Sequence, residues 1–383
     1  MKNAQIVIIG GGVVGASVAY HLTLRGARDV LILEREAVQG CGSTGAATGG
    51  VRAQFETDIN IKMSLYSLAF FNDWEFDCGY EPRGYLFFAA TEAQFAYLKR
   101  NVEKQKRLGV KDVEIVDTET IRKMVPGMNC DDIMGGSFGA SDGFIDPMAV
   151  MQGFTQSALR GGAAIEFGSK VSAIISERGK IVGVETDQGR IGCETVVLCT
   201  GAWAGELAAG VGVDLPVKPQ RRQIVWARAH GALPKNLPMV IDIGSGFHFR
   251  PAKNQRDELL LAYPDPDEKP SFNTDFDEAF IEKVMDRARR RADFLNETSV
   301  AREKCRAGLY ENTPDHHAIL GGCEIEGLYF ANGFSGHGVM HSPASGRALS
   351  EIILDGDARF MDTSCLRLDR FAKGELLQET AFI

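Results

Sequence analysis

The chain has 383 residues, of which 44% are hydrophobic and 24% charged, and its formal net charge is −9. This composition is typical of a soluble globular protein, and the length predicts two domains that share an interface. The negative charge argues against a general nucleic-acid-binding surface. No apolar run in the sequence reaches the length that a membrane-spanning helix needs.

The first predicted elements form the most informative motif. The apolar run Ile6–Ile9 enters the turn Gly10-Gly11-Gly12-Val13-Val14-Gly15, and a helical stretch follows as far as Gly26. A second apolar run, Val30–Leu33, ends on Glu34. A G-x-G-x-x-G turn between a strand and a helix, with an acid at the end of the next strand, predicts a dinucleotide-binding βαβ unit.

Each part of this motif has a physical task. Gly10 makes the tight turn, and Gly12 lets a pyrophosphate approach the backbone closely. Gly15 lets the helix pack against the strand, so that the positive end of the helix dipole faces the phosphates. Glu34 lies where the adenosine ribose would present its hydroxyls. The sequence therefore predicts an adenine dinucleotide as a ligand.

The remaining elements are predicted from hydrophobic periodicity and from capping residues. A Pro after Asp146 and a Thr at position 91 are typical helix starts. A turn is predicted at residues 251–254. We expect helices at 58–79, 92–108, 118–124, 146–161 and 277–295, strands at 84–89, 164–167, 171–177, 181–186, 190–193 and 195–201, and strand-rich segments at 217–227 and 246–263.

The cysteines and charged runs carry weaker signals. The eight cysteines form no C-x-x-C pair and no metal-ligand spacing, which predicts reduced thiols in a cytoplasmic protein. The N-terminus lacks the features of a signal peptide, and attachment to the inner face of a membrane is left open.

Asp315, His316 and His317 do not predict a metal site, because adjacent side chains on an extended segment point to opposite sides. A basic run at 287–291 predicts a solvated helix face or, alternatively, a docking face for an acidic partner.

Three further segments are rich in glycine and small polar residues, at 42–52, 200–203 and 331–343. A single segment of this kind could be a surface turn. Three of them beside a nucleotide-binding motif predict backbone that closely approaches a large planar ligand. The last segment leads into a helix, whose N-terminus favours negative charge.

These segments carry a resemblance to a known family. The sequence resembles the D-amino-acid oxidase/sarcosine oxidase group of FAD-dependent enzymes, and within it the beta subunits of sarcosine oxidase and of dye-linked proline dehydrogenase. The resemblance covers nearly the whole chain. Beyond the opening motif, it rests on residues 43–52, 83–86, 142–147, 201–203, 249–251, 308–310, 313–315 and 333–338.

The resemblance implies a mixed α/β fold with a Rossmann-like FAD domain of the glutathione-reductase type and a second, sheet-plus-helix substrate domain. The FAD domain would comprise residues 1–85, 140–215 and 300–360, the substrate domain 86–139 and 216–299, and a C-terminal tail 361–383. Arg52 would bind a substrate carboxylate, the alternative being an ordinary surface ion pair. The residues expected to contact FAD are Gly10, Gly12, Val13, Val14, Gly15, Glu34, Arg35, Ser43, Thr44, Thr48, Gly49, Gly50, Val171, Thr200, Gly201, Trp203, Gly308, Gly336, His337, Gly338, Val339 and Met340.

The sequence also departs from the family pattern. Gly308 stands where some relatives attach FAD through a cysteine, so we expect noncovalent FAD, although Cys305 lies nearby. Met340 replaces a lysine that clamps the substrate. His248 replaces a tyrosine and is a candidate for orienting the substrate, the alternative being a structural hydrogen-bonding histidine. The strand at 259–263 lacks the lysine that oxygen-using relatives carry, which favours a dehydrogenase over an oxidase.

The family implies oxidation of a C–N bond in a small amino acid by hydride transfer to flavin N5, after which water hydrolyses the imine. Sarcosine, proline, glycine and D-amino acids remain as substrates. Oxygen, a quinone or a partner subunit remain as electron acceptors, and a homo- or hetero-oligomer is open. Two alternatives stand beside this prediction: a flavin-carrying subunit that is inactive without partner chains, and a nicotinamide-dependent dehydrogenase.

Overall fold

Strands and helices alternate along the chain, as the hydrophobic pattern predicts. The structure, a computed structural model, describes residues 2–231, 233–252 and 257–379. The strands of the described residues are, in chain order, β1 (Lys2–Asn3), β2 (Ile6–Ile9), β3 (Val30–Leu33), β4 (Gly50–Val51), β5 (Tyr85–Ala89), β6 (Val113–Val116), β7 (Gly135–Gly139), β8 (Gly143–Phe144), β9 (Ala164–Glu166), β10 (Val171–Glu177), β11 (Lys180–Thr186), β12 (Gly189–Gly192), β13 (Thr195–Leu198), β14 (Lys218–Ala229), β15 (Met239–Asp242), β16 (His248–Pro251), β17 (Glu258–Ala262), β18 (Thr298–Val300), β19 (Arg306–Asn312), β20 (Ile319–Gly322) and β21 (Leu328–Asn332).

The helices vary from single turns to five turns. Short 3-10 segments also occur at Gly201–Trp203, Asp293–Leu295, Arg302–Lys304 and Ser364–Leu366. The α-helices in the described ranges are α1 (Val13–Leu24), α2 (Ser43–Ala46), α3 (Asp58–Asp73), α4 (Glu92–Arg107), α5 (Thr118–Met124), α6 (Pro147–Arg160), α7 (Ala204–Ala209), α8 (Ala279–Arg291), α9 (Gly338–Asp355) and α10 (Arg370–Lys373). Within these ranges, no helix is both long enough and apolar enough to cross a bilayer.

A six-stranded sheet contains the opening βαβ unit. Its order is β20-β21-β13-β2-β3-β9, and every pair is parallel except β20 with β21. The strands are continuous apolar runs because both faces are covered. Ile6 and Ile8 pack on the side of α1 and α9, whereas Val7 and Ile9 pack toward the four-stranded sheet β1-β12-β11-β10. The carboxyl ends of β2 and β3 therefore open onto the glycine turn and Glu34.

A second, larger sheet has the order β18-β14-β17-β16-β15-β5-β7-β6, and β19 also pairs with β14. Its residues alternate between two faces, as the twofold period of a strand requires. On β15 the side chain of Val240 packs into the core that contains α8, whereas Met239 and Ile241 face a cavity. One face of the sheet is thus a core surface and the other is a wall of the candidate site.

The prediction of a mixed α/β fold is confirmed. Individual elements differ at their ends. The helix predicted at 58–79 ends at Asp73, because Trp74 takes extended backbone and its ring packs 4.7 Å from that of Phe154. The helix predicted at 277–295 is α8 followed by a 3-10 turn. Of the turn predicted at 251–254, residues 253 and 254 lie outside the described residues.

The division into two domains stays a prediction. The six-stranded sheet takes its strands from residues 6–9, 30–33, 164–166, 195–198, 319–322 and 328–332. The larger sheet takes its strands from 85–139, 218–262 and 298–312. The chain therefore passes between the two sheets several times, and the connecting segments meet at the cavity.

Candidate active site

A cavity of about 560 Å³ lies between the six-stranded sheet and the larger sheet. Its volume falls within the range of roughly 300–1,000 Å³ that is typical of ligand pockets. The residues predicted to contact FAD line this cavity, with the exception of Gly15, and so do Arg52 and His248. The structure thus brings together glycine-rich segments that lie up to about three hundred residues apart in sequence.

The glycine turn forms one end of the cavity. Gly10 has φ +103°, and a Cβ there would overlap the carbonyl oxygen of Cys199. Gly15 lies within α1, where a Cβ would overlap the carbonyl oxygen of Gly10, so this residue serves the packing of helix on turn. The first turn of α1 carries no acidic residue. The positive end of the helix dipole therefore faces the cavity without a carboxylate to neutralise it.

Glu34 and Arg35 form the neighbouring wall. The Glu34 carboxylate accepts hydrogen bonds from the backbone N–H of Gly11 (2.9 Å) and of Glu36 (3.0 Å). The Arg35 guanidinium stacks 3.8 Å from the ring centroid of Trp203, at the start of the segment that follows β13. Val171 and Thr200 line the same region of the cavity. These contacts hold Glu34 at the carboxyl end of β3, which is the position predicted from the sequence.

The glycine-rich segment at 42–52 crosses the middle of the cavity. Ser43 donates a hydrogen bond to the carbonyl oxygen of Leu309 (2.7 Å), and the Thr44 hydroxyl accepts one from the N–H of Val13 (3.1 Å). Two arginines donate hydrogen bonds to the backbone carbonyl groups that follow in this loop. Arg306 donates to the oxygens of Ala46 and Ala47, and Arg250 donates to that of Thr48. The loop is therefore tied to β19, α1 and β16, and Gly49, Gly50 and Gly308 line the cavity beside it.

The N-terminus of α9 forms the opposite wall. Gly336, His337, Gly338, Val339 and Met340 line the cavity here, and the first turn of α9 carries no acidic residue. Gly336 has φ +97°, and a Cβ there would overlap the ring of Tyr310. A second positive helix end therefore points into the cavity.

Arg52 is buried, with 3% of its surface exposed. Its guanidinium donates to the carbonyl oxygen of Gln54 (2.5 Å), approaches Nε2 of His337 (3.4 Å) and stacks 3.9 Å from the ring centroid of Phe55. Among the residues that the structure describes, no carboxylate lies within 4 Å of it. Burial lowers the pKa of the guanidinium. The surface ion pair that we considered from sequence is therefore not what holds this residue.

A buried hydrogen-bond network fixes the segment that carries Arg52. The Asp142 carboxyl accepts from the N–H of Ala53 (2.6 Å) and from the side-chain amide of Gln54 (2.8 Å). Gln54 also donates to the carbonyl oxygen of Tyr85 (2.9 Å) and accepts from Ser137 (2.7 Å). Burial raises the pKa of Asp142 to about 7.

His248 lies across the cavity on β16. Its Nδ1 is 2.9 Å from the carbonyl oxygen of Gly246, which places the proton on Nδ1 and leaves Nε2 as an acceptor. Burial lowers the pKa of His248 to about 4, and the positive charges of Arg52, Arg222 and Arg250 add to this effect. The imidazole is therefore neutral at physiological pH. Burial and the charge of Arg52 lower the pKa of His337 in the same way.

Several residues of the cavity wall were not predicted as site residues, among them Tyr85, Arg222, Tyr310 and Glu311. Tyr85 and Tyr310 fall inside the segments that carry the family resemblance, which was the available signal. Arg222 follows another arginine on a strand, and the sequence does not show which of the two faces inward. Glu311 accepts from the N–H of Gly333 (3.0 Å), and burial raises its pKa to about 7.

The wall also contains buried polar atoms that lack a hydrogen-bond partner within the described residues. In the region of the wall that Val171 lines, they are the hydroxyls of Ser169 and Thr200. Buried polar groups without a partner are rare in folded proteins, because leaving them unpaired is costly. Together with two positive helix ends and a glycine-lined cavity, they fit a long polar ligand with phosphate groups and a flat ring system, such as a flavin dinucleotide.

The comparisons with known proteins agree with this geometry. A protein family described as "FAD dependent oxidoreductase" matches residues 5–352. The bovine protein (Bos taurus) named FAD-dependent oxidoreductase domain-containing protein 1 is 32% identical over 99% of this chain and 87% of that protein. Human mitochondrial dimethylglycine dehydrogenase is 27% identical over 99% of this chain and 45% of that protein.

A solved structure is similar over almost its whole length. The crystal structure of L-proline dehydrogenase from P. horikoshii superposes with a TM-score of 0.90 at 27% sequence identity. The match covers 98% of this chain and 100% of that chain. The arrangement of sheets around the cavity is therefore shared with a protein of known structure.

Proposed function

Since this chain belongs to the FAD-dependent oxidoreductase family, we propose that it oxidises a carbon–nitrogen bond of a small amino acid. FAD as the cofactor and the family resemblance stated from the sequence are both confirmed by the family match. With FAD as the cofactor, the nicotinamide alternative is set aside. The observation that carries the proposal is Arg52, a buried cation at the cavity wall with no carboxylate partner among the described residues.

The proposed FAD contacts follow the cavity wall. The turn at Gly10 and Gly12 with the start of α1 would hold the pyrophosphate, and Glu34 with Arg35 the adenosine ribose. The segment at 43–50 would pass over the flavin ring, and the start of α9 would face its pyrimidine edge. We propose that FAD is bound noncovalently. In support, Cys305 lies outside the cavity wall, with its Sγ 3.4 Å from the N–H of Trp226.

The substrate would lie between Arg52 and His248. A guanidinium group binds a carboxylate through two parallel hydrogen bonds, which fixes both position and orientation. Nε2 of His248 can accept a hydrogen bond from the substrate amine. Positive charge around the pocket lowers the pKa of that amine and favours the neutral form, whose lone pair assists the oxidation. FAD, when bound, supplies the acceptor for the hydride at N5.

We propose a dehydrogenase in preference to an oxidase. A lysine close to the flavin ring would favour reaction with oxygen by stabilising superoxide-like charge. Strand β17 carries no lysine, and the lysine in the described cavity wall is Lys170, next to Val171 at the far end. Two of the similar proteins reported above are named dehydrogenases.

We propose the cytoplasm as the location. In support, all eight cysteines are free thiols in the structure.

A flavin-carrying subunit that requires partner chains remains the alternative to an enzyme that is active alone. Activity of the isolated chain with an artificial dye would decide against that alternative.

Anaerobic mixing with matched amines tests the proposed function. The FAD-loaded protein is mixed with sarcosine, dimethylglycine, proline, glycine or D-alanine while the visible flavin absorbance is followed. We expect bleaching by at least one amino acid, and none by the same amine without its carboxylate (dimethylamine for sarcosine, pyrrolidine for proline). Absence of bleaching with every amino acid, or equal bleaching by the carboxylate-free amines, would contradict the proposal. Admitting air afterwards separates an oxidase, whose flavin recolours rapidly, from a dehydrogenase.

A further inference from the structure

A second arginine in the cavity wall, Arg222, has no ion-pair partner among the residues that the structure describes. It lies on β14, and its Nε is buried without a hydrogen-bond partner in the part of the chain that the structure describes. Its Nη1 donates one long hydrogen bond, of 3.3 Å, to the carbonyl oxygen of Arg221. The guanidinium carbon lies 5.2 Å from the ring centroid of Tyr310. Most of the donors of this group therefore remain available for a ligand.

The carboxylates around Arg222 are engaged by other cations. Glu268 pairs with the Nε and Nη2 of Arg221 at 3.0 and 2.9 Å. Asp265 pairs with Lys283 at 2.7 Å. Arg221, the preceding residue, thus has a partner outside the cavity, whereas Arg222 has no close carboxylate partner among the described residues. Its guanidinium is half-buried, with Nε fully covered, and a positive charge placed in this way in a cavity wall attracts an anionic ligand.

Arg222 and Arg52 act on the same part of the cavity. Tyr310 lies beneath the guanidinium of Arg222, and its hydroxyl also interacts electrostatically with Arg52. The imidazole of His248 experiences both positive charges as well. The neutral imidazoles of His248 and His337 offer no negative charge to either guanidinium. This end of the cavity therefore holds two guanidinium groups that lack a close carboxylate partner in the described ranges.

Building on the amino-acid oxidation proposed above, we propose that the substrate is a secondary amine with two carboxylates, one bound by Arg52 and the other by Arg222. Such a molecule places one carboxylate on each side of the nitrogen, as in an N-carboxymethyl amino acid. Two carboxylates balance two guanidinium groups, and each pair gains charge-assisted hydrogen bonds. A substrate with one carboxylate would leave one of the guanidinium groups unpaired.

The reaction of such a substrate balances with FAD as the oxidant. A hydride leaves the carbon next to nitrogen and passes to FAD, and a proton leaves the nitrogen, so that a C=N bond forms. Water then adds to the C=N bond and splits it into a 2-oxo acid and a primary amino acid. Each product carries one carboxylate, so the carboxylate that Arg222 holds leaves with one of these two products.

A pair of non-oxidisable ligands tests this assignment without turnover. Methoxyacetate carries one carboxylate, and diglycolate carries two across the same ether oxygen. Each is titrated into the FAD-loaded protein, and its Kd is read from the change in the visible flavin spectrum and from the shift in Tm. We expect diglycolate to bind about tenfold to a hundredfold more tightly, because one charged hydrogen-bonding pair is added.

Variants then assign the second carboxylate. Arg222→Gln should remove the advantage of diglycolate by weakening its binding much more than that of methoxyacetate, and Arg222→Lys should restore part of it. Arg221→Gln is the matched control on the adjacent position, and it should preserve the advantage of diglycolate. Equal binding of the two ligands to the wild type, or equal loss of both in Arg222→Gln, would overturn the proposal. Because these ligands are not oxidised, that result is distinct from a failure of the wild type to be reduced by any amino acid.

Discussion

Arg52 keeps its charge inside the protein although, in the part of the chain that the structure describes, no carboxylate pairs with it directly. It does so by bonding to the carbonyl oxygen of Gln54 and by stacking on the ring of Phe55. A carbonyl oxygen and a ring face each compensate part of the lost hydration, but neither carries a full negative charge. The residue is therefore stable in the fold and still attractive to a carboxylate that enters the cavity.

Replacing Arg52 should weaken substrate binding selectively. For Arg52→Gln we expect the KM for a carboxylate substrate to rise about tenfold to a hundredfold, since a charged hydrogen-bonding pair contributes about 1.5–3 kcal/mol. Arg52→Lys should give an intermediate KM, because lysine keeps the charge but loses the planar fork. The FAD content of both variants should match the wild type. An unchanged KM in Arg52→Gln would show that the carboxylate binds elsewhere.

Glu311 illustrates how the cavity perturbs an acid. Burial raises its pKa to about 7 in the folded protein, above the ordinary value of 4.5. The folded state therefore holds this proton more firmly than the unfolded chain. The resulting contribution to stability is fully present below pH 4.5 and is lost as the pH rises through about 7.

Glu311→Gln should remove this dependence on pH while its amide oxygen still accepts from the N–H of Gly333. Between pH 4.5 and 7 the wild type should lose stability relative to the variant by up to about 1.4 kcal/mol per pH unit. Urea denaturation of both proteins at pH 5 and pH 8 measures the difference. Glu194→Gln, at an exposed position, is the control. The same difference at both pH values would mean that Glu311 titrates normally.

Among the predicted site residues, the sequence marks most clearly those whose backbone conformation shapes the cavity. Gly10 and Gly336 are required by positive φ and by close approach, and both stand out in sequence as glycines in motifs. Arg222 and Glu311 were missed because their roles depend on which face of β14 or β19 they occupy. Neither strand shows a clean alternation of polar and apolar residues, so the inward face could not be assigned.

At the scale of secondary-structure elements, the opening βαβ unit was predictable because its apolar runs, its glycine turn and its helix start all indicate the same fold. Strands β2 and β3 are uninterrupted apolar runs, and α1 begins directly at the glycine turn. Elements without such agreement were missed. Helix α2 is one turn inside a glycine-rich loop, and β15 is four residues long, so neither offers enough residues for a period to be recognised.

The C-terminal tail forms a contact that no local pattern predicts. Glu379 is 4% exposed, and its carboxylate accepts from the N–H groups of Glu56 (2.7 Å) and Thr57 (3.2 Å) and from the Thr57 hydroxyl (3.1 Å). Thr57 is the residue that precedes α3. A side chain more than three hundred positions away thus holds the two residues directly before α3, just beyond the segment that carries Arg52.

Removing this carboxylate should destabilise the fold measurably. For Glu379→Ala we expect a loss of about 1–3 kcal/mol in the free energy of unfolding, because the N–H groups of Glu56 and Thr57 lose a charged hydrogen-bond acceptor. Glu379→Gln should lose less, because its amide oxygen can still accept. Chemical denaturation measures the effect, and Glu375→Ala, at an exposed position four residues earlier, is the control. Equal stability of the two alanine variants would show that the hydrogen bonds of Glu379 do not stabilise the fold.

At the scale of the whole molecule, the fold buries histidine side chains on several different elements. His21 on α1, His248 on β16 and His341 on α9 each accept or donate a single close hydrogen bond, to Ser17, Gly246 and Ser64 respectively. Burial lowers their pKa values to about 4, 4 and 3. All three are therefore neutral in the folded protein at pH values where the unfolded chain would bind protons.

Because of these buried neutral histidines, the stability of the fold should decrease at acidic pH. A histidine with a lowered folded pKa contributes stability above pH 6.5, and that contribution is lost as the pH falls toward 4. His21 is the best single test because it lies outside the cavity, between α1 and α9, so its replacement leaves the cofactor wall intact. The charges of Arg347 and Glu351, which face it from α9, act on its pKa in opposite directions.

The free energies of unfolding of His21→Gln and the wild type should therefore come closer together as the pH falls. As the pH falls from 6.5 to 4.5, the wild type should lose up to about 1.4 kcal/mol per pH unit relative to the variant, because only its unfolded state gains a proton at this position. Denaturation at pH 7 and pH 4.5 measures the difference, with His230→Gln, at an exposed position, as the control. If the difference between wild type and His21→Gln were the same at both pH values, the imidazole would be protonated in the folded protein as readily as in the unfolded chain.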